Sequence, residues 1–445
     1  MAANSNSEQI CWFSAGSAAV TECHDCGLQQ RVPEQETGDV FCVRCNRRLR
    51  RFVRNSLGEG FALALAGLIV LAIALTMPFI TVDFAGRQHH SDLVTGIWEF
   101  TTLGFYELAF FVLLTTIIAP SVSWLLIVTI PILLRLPKPP RILIPMVLWI
   151  ERLAPWAMVE VYLIALFVSY TKLADLAKVS FGPAVYAMAA MMLVTVALAA
   201  RIDHGEYWTA LEKRGVTRRP PPSDVGRSYS CHGCGLLLRL WSRVRGQHLS
   251  CPRCGSSVHH RKPNSQKRCT ALLIAAAVFY IPANAYPVMT MISLGKTYPS
   301  TILGGVIELI DLGSWPLALI IFIASVAVPG LKIIALAFLL ITTQIGTPWR
   351  LHDRARIYRM VEVIGRWSMT DVFVVSVLIA LVQVGQLATF FPGLGATCFA
   401  AVVVLTMLAA MAFDPRVMWD RAGMNRGEDA VAERRRADMK GEPAE

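Results

Sequence analysis

Residues 61–82 read FALALAGLIVLAIALTMPFITV, an apolar run without one charged side chain. A helix rises 1.5 Å per residue, so about 20 apolar residues cross the hydrocarbon core of a bilayer. Further runs of this kind follow along the chain. The predicted spans are approximately Phe61–Val82, Phe105–Leu134, Leu153–Thr171, Phe181–Ala200, Thr270–Ile292, Trp315–Ile341, Val361–Val384 and Phe390–Phe413. The sequence therefore predicts an all-α polytopic membrane protein with eight transmembrane helices.

The composition of the 445-residue chain agrees with this interpretation. Hydrophobic residues make up 55% of it and charged residues only 16%, whereas roughly 25% of the residues of a soluble domain are charged. These figures exclude the disordered, fibrous and small disulfide-rich classes. The first apolar run begins behind some sixty polar residues, so it is not a secretory signal peptide.

The basic residues predict the topology of the chain. Of 42 Lys and Arg, 37 lie in the segments 1–60, 135–152, 201–269, 343–366 and 415–445. These segments alternate with short loops that hold few cations, which is the positive-inside pattern of a polytopic membrane protein. We expect both termini and the long middle segment to be cytoplasmic. Because the cations are spread over every such segment, the net charge of +11 does not indicate a nucleic-acid partner.

The chain repeats itself once. Cys23-His-Asp-Cys26 returns as Cys231-His-Gly-Cys234, and Trp156-Ala-Met-Val-Glu-Val returns as Trp367-Ser-Met-Thr-Asp-Val. The offset is 208 to 211 residues throughout, so the pattern predicts two tandem repeats of four spans, each behind a small cytoplasmic ribbon. The expected segments are ribbon 1 at 1–55, transmembrane block 1 at 56–203, ribbon 2 at 204–265, transmembrane block 2 at 266–414, and a basic, disordered cytoplasmic tail at 415–445. Many transporters are built of parallel repeats.

The cysteine spacing predicts two metal sites. Each ribbon has two C-x2-C pairs, which 15 residues separate in the first ribbon and 16 in the second. Four thiolates on two tight turns form the tetrahedral sulfur field that Zn²⁺ accepts, and iron in a rubredoxin-like site is the rival ion. A closed four-sulfur site stabilises a fold and does not catalyse. The predicted ligands are Cys23, Cys26, Cys42, Cys45, Cys231, Cys234, Cys251 and Cys254.

Ionisable residues inside the predicted spans are candidates for a transport site, since they cost at least about 2.5–3.5 kcal/mol at bilayer depth. Lys332 lies midway along the sixth span and Asp371 lies in the seventh. The remaining candidates in this polar cluster are Ser325, Ser368, Thr406 and Glu160, the last aligned with Asp371. One interpretation is a structural Lys332–Asp371 ion pair that pins neighbouring helices. The other is a relay in which protonation of Asp371 breaks the pair and couples proton movement to transport.

Two C-x2-C ribbons, each before a four-span block containing W-x-M-x-[ED]-V, resemble the paraquat-inducible protein A family of bacterial inner-membrane proteins. The similarity covers the chain up to about residue 420. The resemblance implies an inner-membrane component of an intermembrane phospholipid transport system that maintains the outer membrane. It also implies a periplasmic MCE-domain partner whose stacked rings form a hydrophobic tunnel for the lipid.

The motifs of several enzyme classes are absent from the sequence. It contains no G-x-x-x-x-G-K-[ST], no G-x-S-x-G and no H-E-x-x-H, so we do not expect a P-loop ATPase, a serine hydrolase or a zincin. The leading hypothesis is a lipid transport subunit that the proton gradient drives through the polar cluster of the second half. The alternatives are a non-transporting membrane anchor or scaffold for the MCE partner, and an independent small-molecule exporter.

Overall fold

The computed structural model shows a mostly helical protein. It describes residues 12–14, 20–32, 38–84, 87–173, 178–220, 227–240, 249–293, 296–311, 313, 315–367, 369, 373–374, 376–377 and 388–424. Seven of the described helices are long and apolar enough to cross a membrane, so the prediction of a polytopic membrane protein is confirmed. They are Ser56–Thr76, Tyr106–Leu134, Leu143–Tyr170, Pro183–Arg201, Ser265–Ala285, Ile323–Ile345 and Leu394–Ala412. Half of the predicted span Val361–Val384 lies outside the described residues, and its first seven residues belong to the helix Leu351–Trp367.

The helices are named in chain order. In residues 56–213, which we call the first half, they are α1 Ser56–Thr76, α2 Thr95–Thr102, α3 Tyr106–Leu113, α4 Ala119–Leu134, α5 Leu143–Leu153, α6 Val159–Leu173, α7 Pro183–Arg201 and α8 His204–Lys213. In residues 265–424, the second half, they are α9 Ser265–Ala285, α10 Ile302–Asp311, α11 Trp315–Phe322, α12 Val328–Ile345, α13 Leu351–Trp367, α14 Leu394–Ala412 and α15 Arg416–Arg421. Single π-helical turns, Leu114–Ile118 and Ile323–Ala327, join α3 to α4 and α11 to α12.

The short strands lie at the two ends of the helices. Those before α1 and α9 are β1 Trp12–Ser14, β2 Val20–Glu22, β3 Gln29–Arg31, β4 Gly38–Phe41, β5 Arg48–Phe52, β9 Arg227–Ser230 and β10 Leu237–Leu240. Those between helices are β6 Ile80–Phe84, β7 Arg87–Ser91, β8 Lys178–Phe181, β11 Met289–Ser293, β12 Lys296–Ser300 and β13 Ala388–Pro392. We call the two ends of the helices the ribbon end and the sheet end.

Several predicted spans extend too far at the sheet end. Ile80–Phe84 and Met289–Ser293 are strands and not the last turns of helices α1 and α9. Both helices end at the residue before a proline, Met77 and Tyr286, whose ψ angles are about 150°, because proline disfavours the helical conformation of its predecessor. Hydropathy does not distinguish an apolar strand from an apolar helical turn, so the predicted ends were wrong.

The sheet ends of the two halves have the same topology. Strands β7-β6-β8 form one antiparallel sheet and β12-β11-β13 another. Ile80 pairs with Ser91 and Phe181 in the first sheet, and Met289 pairs with Ser300 and Pro392 in the second. Each sheet therefore joins the hairpin that follows the first helix of its half to the strand that precedes the last membrane-spanning helix, α7 or α14.

Helix packing is also similar in the two halves. Helix α1 packs against α4 and α7, and α9 packs against α12 and α14. The halves contact each other through α6. The rings of Tyr162 and Phe373 lie 5.4 Å apart, and Ser169 Oγ donates a hydrogen bond to Val374 O over 3.4 Å. The third span of the first half thus touches the matching segment of the second.

Short helices close the ribbon end. Helix α8 begins at Asp203, whose carboxylate accepts from Gly205 N at 2.8 Å, and it buries Tyr207 and Trp208. Helix α15 follows Asp414 and buries Trp419. Residues 416–421 are therefore a packed helix, so the predicted tail boundary at 415 is too early. Residues 425–445 lie outside the described part of the chain.

Candidate functional site

Each predicted cysteine pair lies on a tight turn stabilised by the backbone. Cys23 N donates to Leu28 O and Gly27 N donates to Cys23 O, both at 2.9 Å, and the other three pairs repeat this pattern. The residue after each second cysteine has a φ angle between 56° and 75°. Glycine and asparagine enter this left-handed region at low cost. These residues are Gly27, Asn46, Gly235 and Gly255.

The eight cysteines form two buried clusters of four sulfurs. We call Cys23, Cys26, Cys42 and Cys45 the first cysteine cluster, and Cys231, Cys234, Cys251 and Cys254 the second. Within each cluster all four sulfurs lie within 4.8 Å of one another. The closest pairs are 3.5 and 3.6 Å apart in the first and 3.5 and 3.7 Å in the second. A tetrahedral ion with Zn–S bonds of about 2.3 Å places its sulfurs about 3.8 Å apart, so both clusters could bind a metal ion.

The first cysteine cluster packs against the second half of the chain. It shares a hydrophobic core with helices α9, α12, α13 and α14. His352 Nε2 lies 2.6 Å from Arg44 O, and Arg359 donates to Cys45 O at 2.6 Å. Arg47 forms an ion pair with Glu362 at 3.3 Å. The turn that carries Cys42 and Cys45 is therefore fixed to α13.

The second cysteine cluster packs against the first half. Arg253, two residues after Cys251, forms an ion pair with Glu212 at 2.9 Å, and its guanidinium lies 5.1 Å from the Trp208 ring centroid. The α-carbon of Gly233 faces Leu148 so closely that a β-carbon there would lie 3.0 Å from Leu148 Cδ2. Each cysteine cluster thus contacts the half that it does not directly precede in the chain.

A buried charge network joins these parts at the ribbon end, and sequence reasoning missed it. Arg416 is 2% exposed and donates to both carboxylate oxygens of Asp414 at 3.0 Å and to Glu22 Oε1 at 3.1 Å. Its Nη2 also lies 3.0 Å from His232 Nε2. Arg261 holds the same Glu22 oxygen at 2.9 Å. The sequence placed Arg416 in a basic tail, where only its neighbour Asp414, matched to Asp203, signalled a structural role.

The electrostatics of this network favour the ionised form of Asp414. Burial alone would raise the pKa of the Asp414 carboxyl. Its hydrogen bonds to Arg416 and the Arg416 charge outweigh burial, and they lower the pKa to about 2. Asp414 therefore stays charged over the whole physiological pH range.

Lys332 is buried inside the second half. Its side chain is 2% exposed, and its Nζ donates to Thr406 Oγ1 over 2.9 Å. The Thr406 hydroxyl in turn donates to Val403 O at 3.0 Å. Gly365 of α13 leaves space next to the ammonium, since a β-carbon there would lie 3.9 Å from Nζ. Among the described residues, no carboxylate lies within 4.0 Å of Lys332 Nζ.

The other predicted polar residues are only partly brought together. Ser325 is 1% exposed and lies in the π-helical segment Ile323–Ala327, seven residues before Lys332. Glu160 begins helix α6 in the first half and is half-buried. No hydrogen bond or ion pair joins Glu160 to Lys332 in the part of the chain that the structure describes. Asp371 and Ser368 lie outside the described residues.

The π-helical turns are a further feature that the sequence analysis did not predict. Pro120 and Pro329 follow them, and a proline ring clashes with the carbonyl four residues earlier in an α-helix. A wider turn at that point, residues 114–118 and 323–327, relieves the clash. The exposed carbonyls find partners, because Met158 N donates to Thr115 O at 3.3 Å and Tyr280 Oη to Val326 O at 3.0 Å. Such turns often mark functional sites.

Comparison with known proteins identifies relatives along most of the chain. The sequence model described as paraquat-inducible protein A matches residues 58–212 and 266–423. Intermembrane transport protein PqiA of Escherichia coli strain K12 is 33% identical over 92% of this chain and 97% of its own. Lipophilic envelope-spanning tunnel protein A of the same strain is 30% identical over 89% and 90%. No solved structure matches. The chain is thus a multi-pass membrane protein that belongs to the paraquat-inducible protein A family.

Proposed function

We propose that this protein is the inner-membrane subunit of an intermembrane phospholipid transport system, with both termini in the cytoplasm. It passes lipid between the inner membrane and a periplasmic MCE-domain partner, and so maintains the outer membrane. Two relatives support the coarser role, since one is named an intermembrane transport protein and the other an envelope-spanning tunnel protein. The charge alternation along the sequence supports the orientation.

The observation that carries the proposal is the burial of Lys332. An ammonium group at bilayer depth costs at least about 2.5–3.5 kcal/mol, and such groups normally belong to transport pathways or relays. One neutral hydroxyl, that of Thr406, accepts a hydrogen bond from it at 2.9 Å. A protein that served only as an anchor would have no need for this charge.

The mechanism that we propose uses Asp371 as the proton acceptor. When Asp371 is ionised, its charge balances Lys332 and holds the sixth and seventh spans together. When it is protonated, Lys332 loses its counter-charge and depends on hydroxyl groups such as those of Thr406, Ser325 and Ser368. The helices then shift relative to each other, and the π-helical turn at 323–327 supplies the point at which the sixth span can bend. Glu160 stands at the matching position of the first half, and among the described residues no lysine forms an ion pair with it within 4.0 Å.

We further propose that the cysteine clusters each hold one structural Zn²⁺. All eight sulfurs are buried and the four sulfurs of each cluster are close enough for tetrahedral coordination. The sulfur chemistry would also accept iron. Each ion would fold its ribbon, since such small domains have little core without it. The two ribbons would then be the segments 1–55 and 204–265, and the transmembrane blocks would be the segments 56–203 and 266–414.

The test is reconstitution of the protein with its MCE-domain partner in vesicles, following the transfer of labelled phospholipid. We expect Lys332→Met to reduce gradient-driven transfer by about ten-fold or more, in line with the removal of a charge that the relay requires. Thr406→Val removes the hydroxyl partner and should reduce transfer in the same direction. Thr195→Val is the matched control, because Thr195 occupies the corresponding position of the first half and bonds only to Met191 O at 2.8 Å.

Two results would contradict this proposal. Transfer that is equal with and without a proton gradient would exclude the relay, even if the protein carries lipid. Full activity of a well-folded Lys332→Met, Asp371→Leu double variant would assign the pair a structural role only.

A further inference from the structure

A cavity of about 640 Å³ opens at the ribbon end of the first half. It lies between the start of α1, the end of α4 and the end of α8. Its apolar wall includes Leu57, Phe61 and Ile132, and its charged rim consists of Arg135, Lys213 and Arg214. The apolar wall belongs to two membrane-spanning helices, whereas the three cations lie at the C-terminal ends of α4 and α8. The cavity therefore lies where the hydrocarbon core meets the headgroup region.

The three cations have no acidic partner within 4.0 Å among the described residues. The carboxylates nearest in sequence are engaged elsewhere. Glu59 pairs with Arg201 at 3.1 Å, Glu206 accepts from Ser56 N at 2.8 Å, and Glu212 pairs with Arg253 at 2.9 Å. A concave site is thus left with three positive charges and no negative one. The positive-inside rule accounts for the sign of these charges but not for the cavity.

The matching place in the second half is closed by the protein itself. Arg421 stands where the first half has Ala210, and it donates to Thr343 O at 3.2 Å and to Gln266 Oε1 at 2.8 Å. Thr343 and Gln266 occupy the positions of Leu134 and Leu57. In the second half, then, a cation and two polar groups fill this place. In the first half the same place has a small residue and apolar walls.

We propose that this cavity, which we call the first-half cavity, binds one anionic glycerophospholipid. The phosphate group would lie against Arg135, Lys213 and Arg214, and the first part of an acyl chain would lie along Phe61 and Ile132. Basic pockets between transmembrane helices bind lipid headgroups in this manner. Ile132 is 51% exposed, so the chain would cover apolar surface that now faces the membrane. A lipid in this cavity would stay bound to the protein and would not be a transported molecule. The proposal therefore goes beyond the proposed function.

The experiment uses the purified full-length protein in a non-ionic detergent. Short-chain phosphatidylglycerol is titrated and its binding is measured by calorimetry, with native mass spectrometry to count bound lipids. The first variant is Arg135→Gln, Lys213→Gln, Arg214→Gln. Its matched control is Lys138→Gln, Arg218→Gln, Arg219→Gln, which removes three exposed cations of the same end that do not line the cavity. We expect binding to weaken at least about ten-fold in the first variant and to stay unchanged in the control.

A second variant separates shape from charge. Ala210→Arg adds a positive charge but places in the cavity the side chain that closes the second half. We expect it to weaken lipid binding, although general attraction to an anion would strengthen it. Thermal unfolding of each variant tests whether the fold is kept. We expect it to be kept, because all substituted residues except Ala210 are exposed.

Three outcomes would overturn the proposal. Equal binding by the charge variant and its control would show that the cavity does not select the lipid. Tighter binding by Ala210→Arg would reduce the effect to surface charge. Competition by glycerol phosphate at the concentration of the lipid would assign the site to a soluble phosphate compound, because the acyl chain would then contribute nothing.

Discussion

The two halves of the protein have the same helices and sheets but differ in where they place polar side chains. Both have a π-helical turn in the second span and a three-stranded sheet at the far end. At the position where the second half buries Lys332, the first half has Ser123. At the ribbon end, Arg421 closes a place that Ala210 leaves open. The same backbone is thus built with and without these cations, so the cations are not needed to form it.

The ribbon ends differ in the strength of their charge networks. In the second half, Arg416 is 2% exposed and binds two carboxylates and a histidine. In the first half, the carboxylate that matches Asp414 is Asp203, and its partner is Arg50 at 3.6 Å, whose side chain is 31% exposed. The second half is therefore fixed to the first ribbon by fully buried charges, whereas the Arg50–Asp203 pair between the first ribbon and the first half is longer and partly exposed.

The largest effect that we expect follows from removing one metal. Cys26→Ser should lose the ion of the first cysteine cluster, and Cys234→Ser that of the second, each leaving one ion per chain. Structural zinc contributes roughly 10–16 kcal/mol of apparent binding energy to small domains, so the affected ribbon should unfold. Hydrogen–deuterium exchange of the full-length protein should then increase in the opposite half. Cys26→Ser should deprotect α13 and α15, and Cys234→Ser should deprotect α5 and α8.

This crossed pattern has its own control. Each variant serves as the reference for the other, because both lose one four-sulfur site. If Cys26→Ser deprotected α5 and α8 instead, each ribbon would stabilise the half that follows it, and the crossed contacts would not contribute. Metal analysis of the two variants, showing half the wild-type content, establishes that the intended ion was lost.

A smaller effect should come from the arginines at the two ribbon ends. Arg416→Met leaves Asp414 without its arginine and leaves Glu22 with Arg261 alone, and breaking a buried ion pair in this way costs about 3–5 kcal/mol. Arg50→Met, the corresponding variant of the first half, removes a pair that is 3.6 Å long and whose arginine is 31% exposed, so it should cost less, about 1 kcal/mol. Thermal unfolding in detergent measures both. Equal shifts of the midpoint would show that the two ribbon ends are equally dependent on charge.

The Arg416→Met variant should also change the pH dependence of stability. In the wild type Asp414 has a lowered pKa, about 2, so its contribution is present above its unfolded pKa and is lost as the pH falls towards 2. Without Arg416, its charge and hydrogen bonds no longer oppose the effect of burial, so the pKa of Asp414 rises. The folded state then binds a proton more readily than the unfolded state, so the destabilisation should be smaller at pH 5 than at pH 8.

The membrane character and the cysteine clusters could be predicted because both depend on local sequence. A hydrophobic run identifies a span, and two C-x2-C pairs bring four sulfurs together on turns that Gly27 or Asn46 permit. The ends of the spans could not be predicted from hydropathy, because the first residues of strand Ile80–Phe84 continue the apolar run of the helix before it. Helix α5, Leu143–Leu153, which precedes α6 in the third apolar segment, was likewise missed.

The contacts between distant segments could not be predicted from one sequence. Nothing near Arg416 in the chain indicates that it lies between Glu22 and His232, which are 394 and 184 residues away. Nor does the repeat indicate that each cysteine cluster packs on the opposite half, since both arrangements have the same sequence pattern. The Lys332–Thr406 hydrogen bond is an intermediate case, because the burial of two polar residues at similar depth made them candidates without showing that they touch.

The smallest expected difference between the halves concerns helix packing. Gly67 of α1 contacts Trp124 of α4, and a β-carbon at Gly67 would lie 3.0 Å from the buried indole ring. The matching residue of the second half is Ala276, opposite Ile333. Gly67→Ala gains helix propensity, about 1 kcal/mol, but overpacking a tight contact costs roughly 1–3 kcal/mol. We therefore expect a small net loss of stability, which thermal unfolding of Gly67→Ala would measure.

The control is the double variant Gly67→Ala, Trp124→Ile, which reproduces the pair of the second half and should recover the loss. A double variant less stable than Gly67→Ala alone would show that the helices of the first half need the indole and cannot adopt the packing of the second.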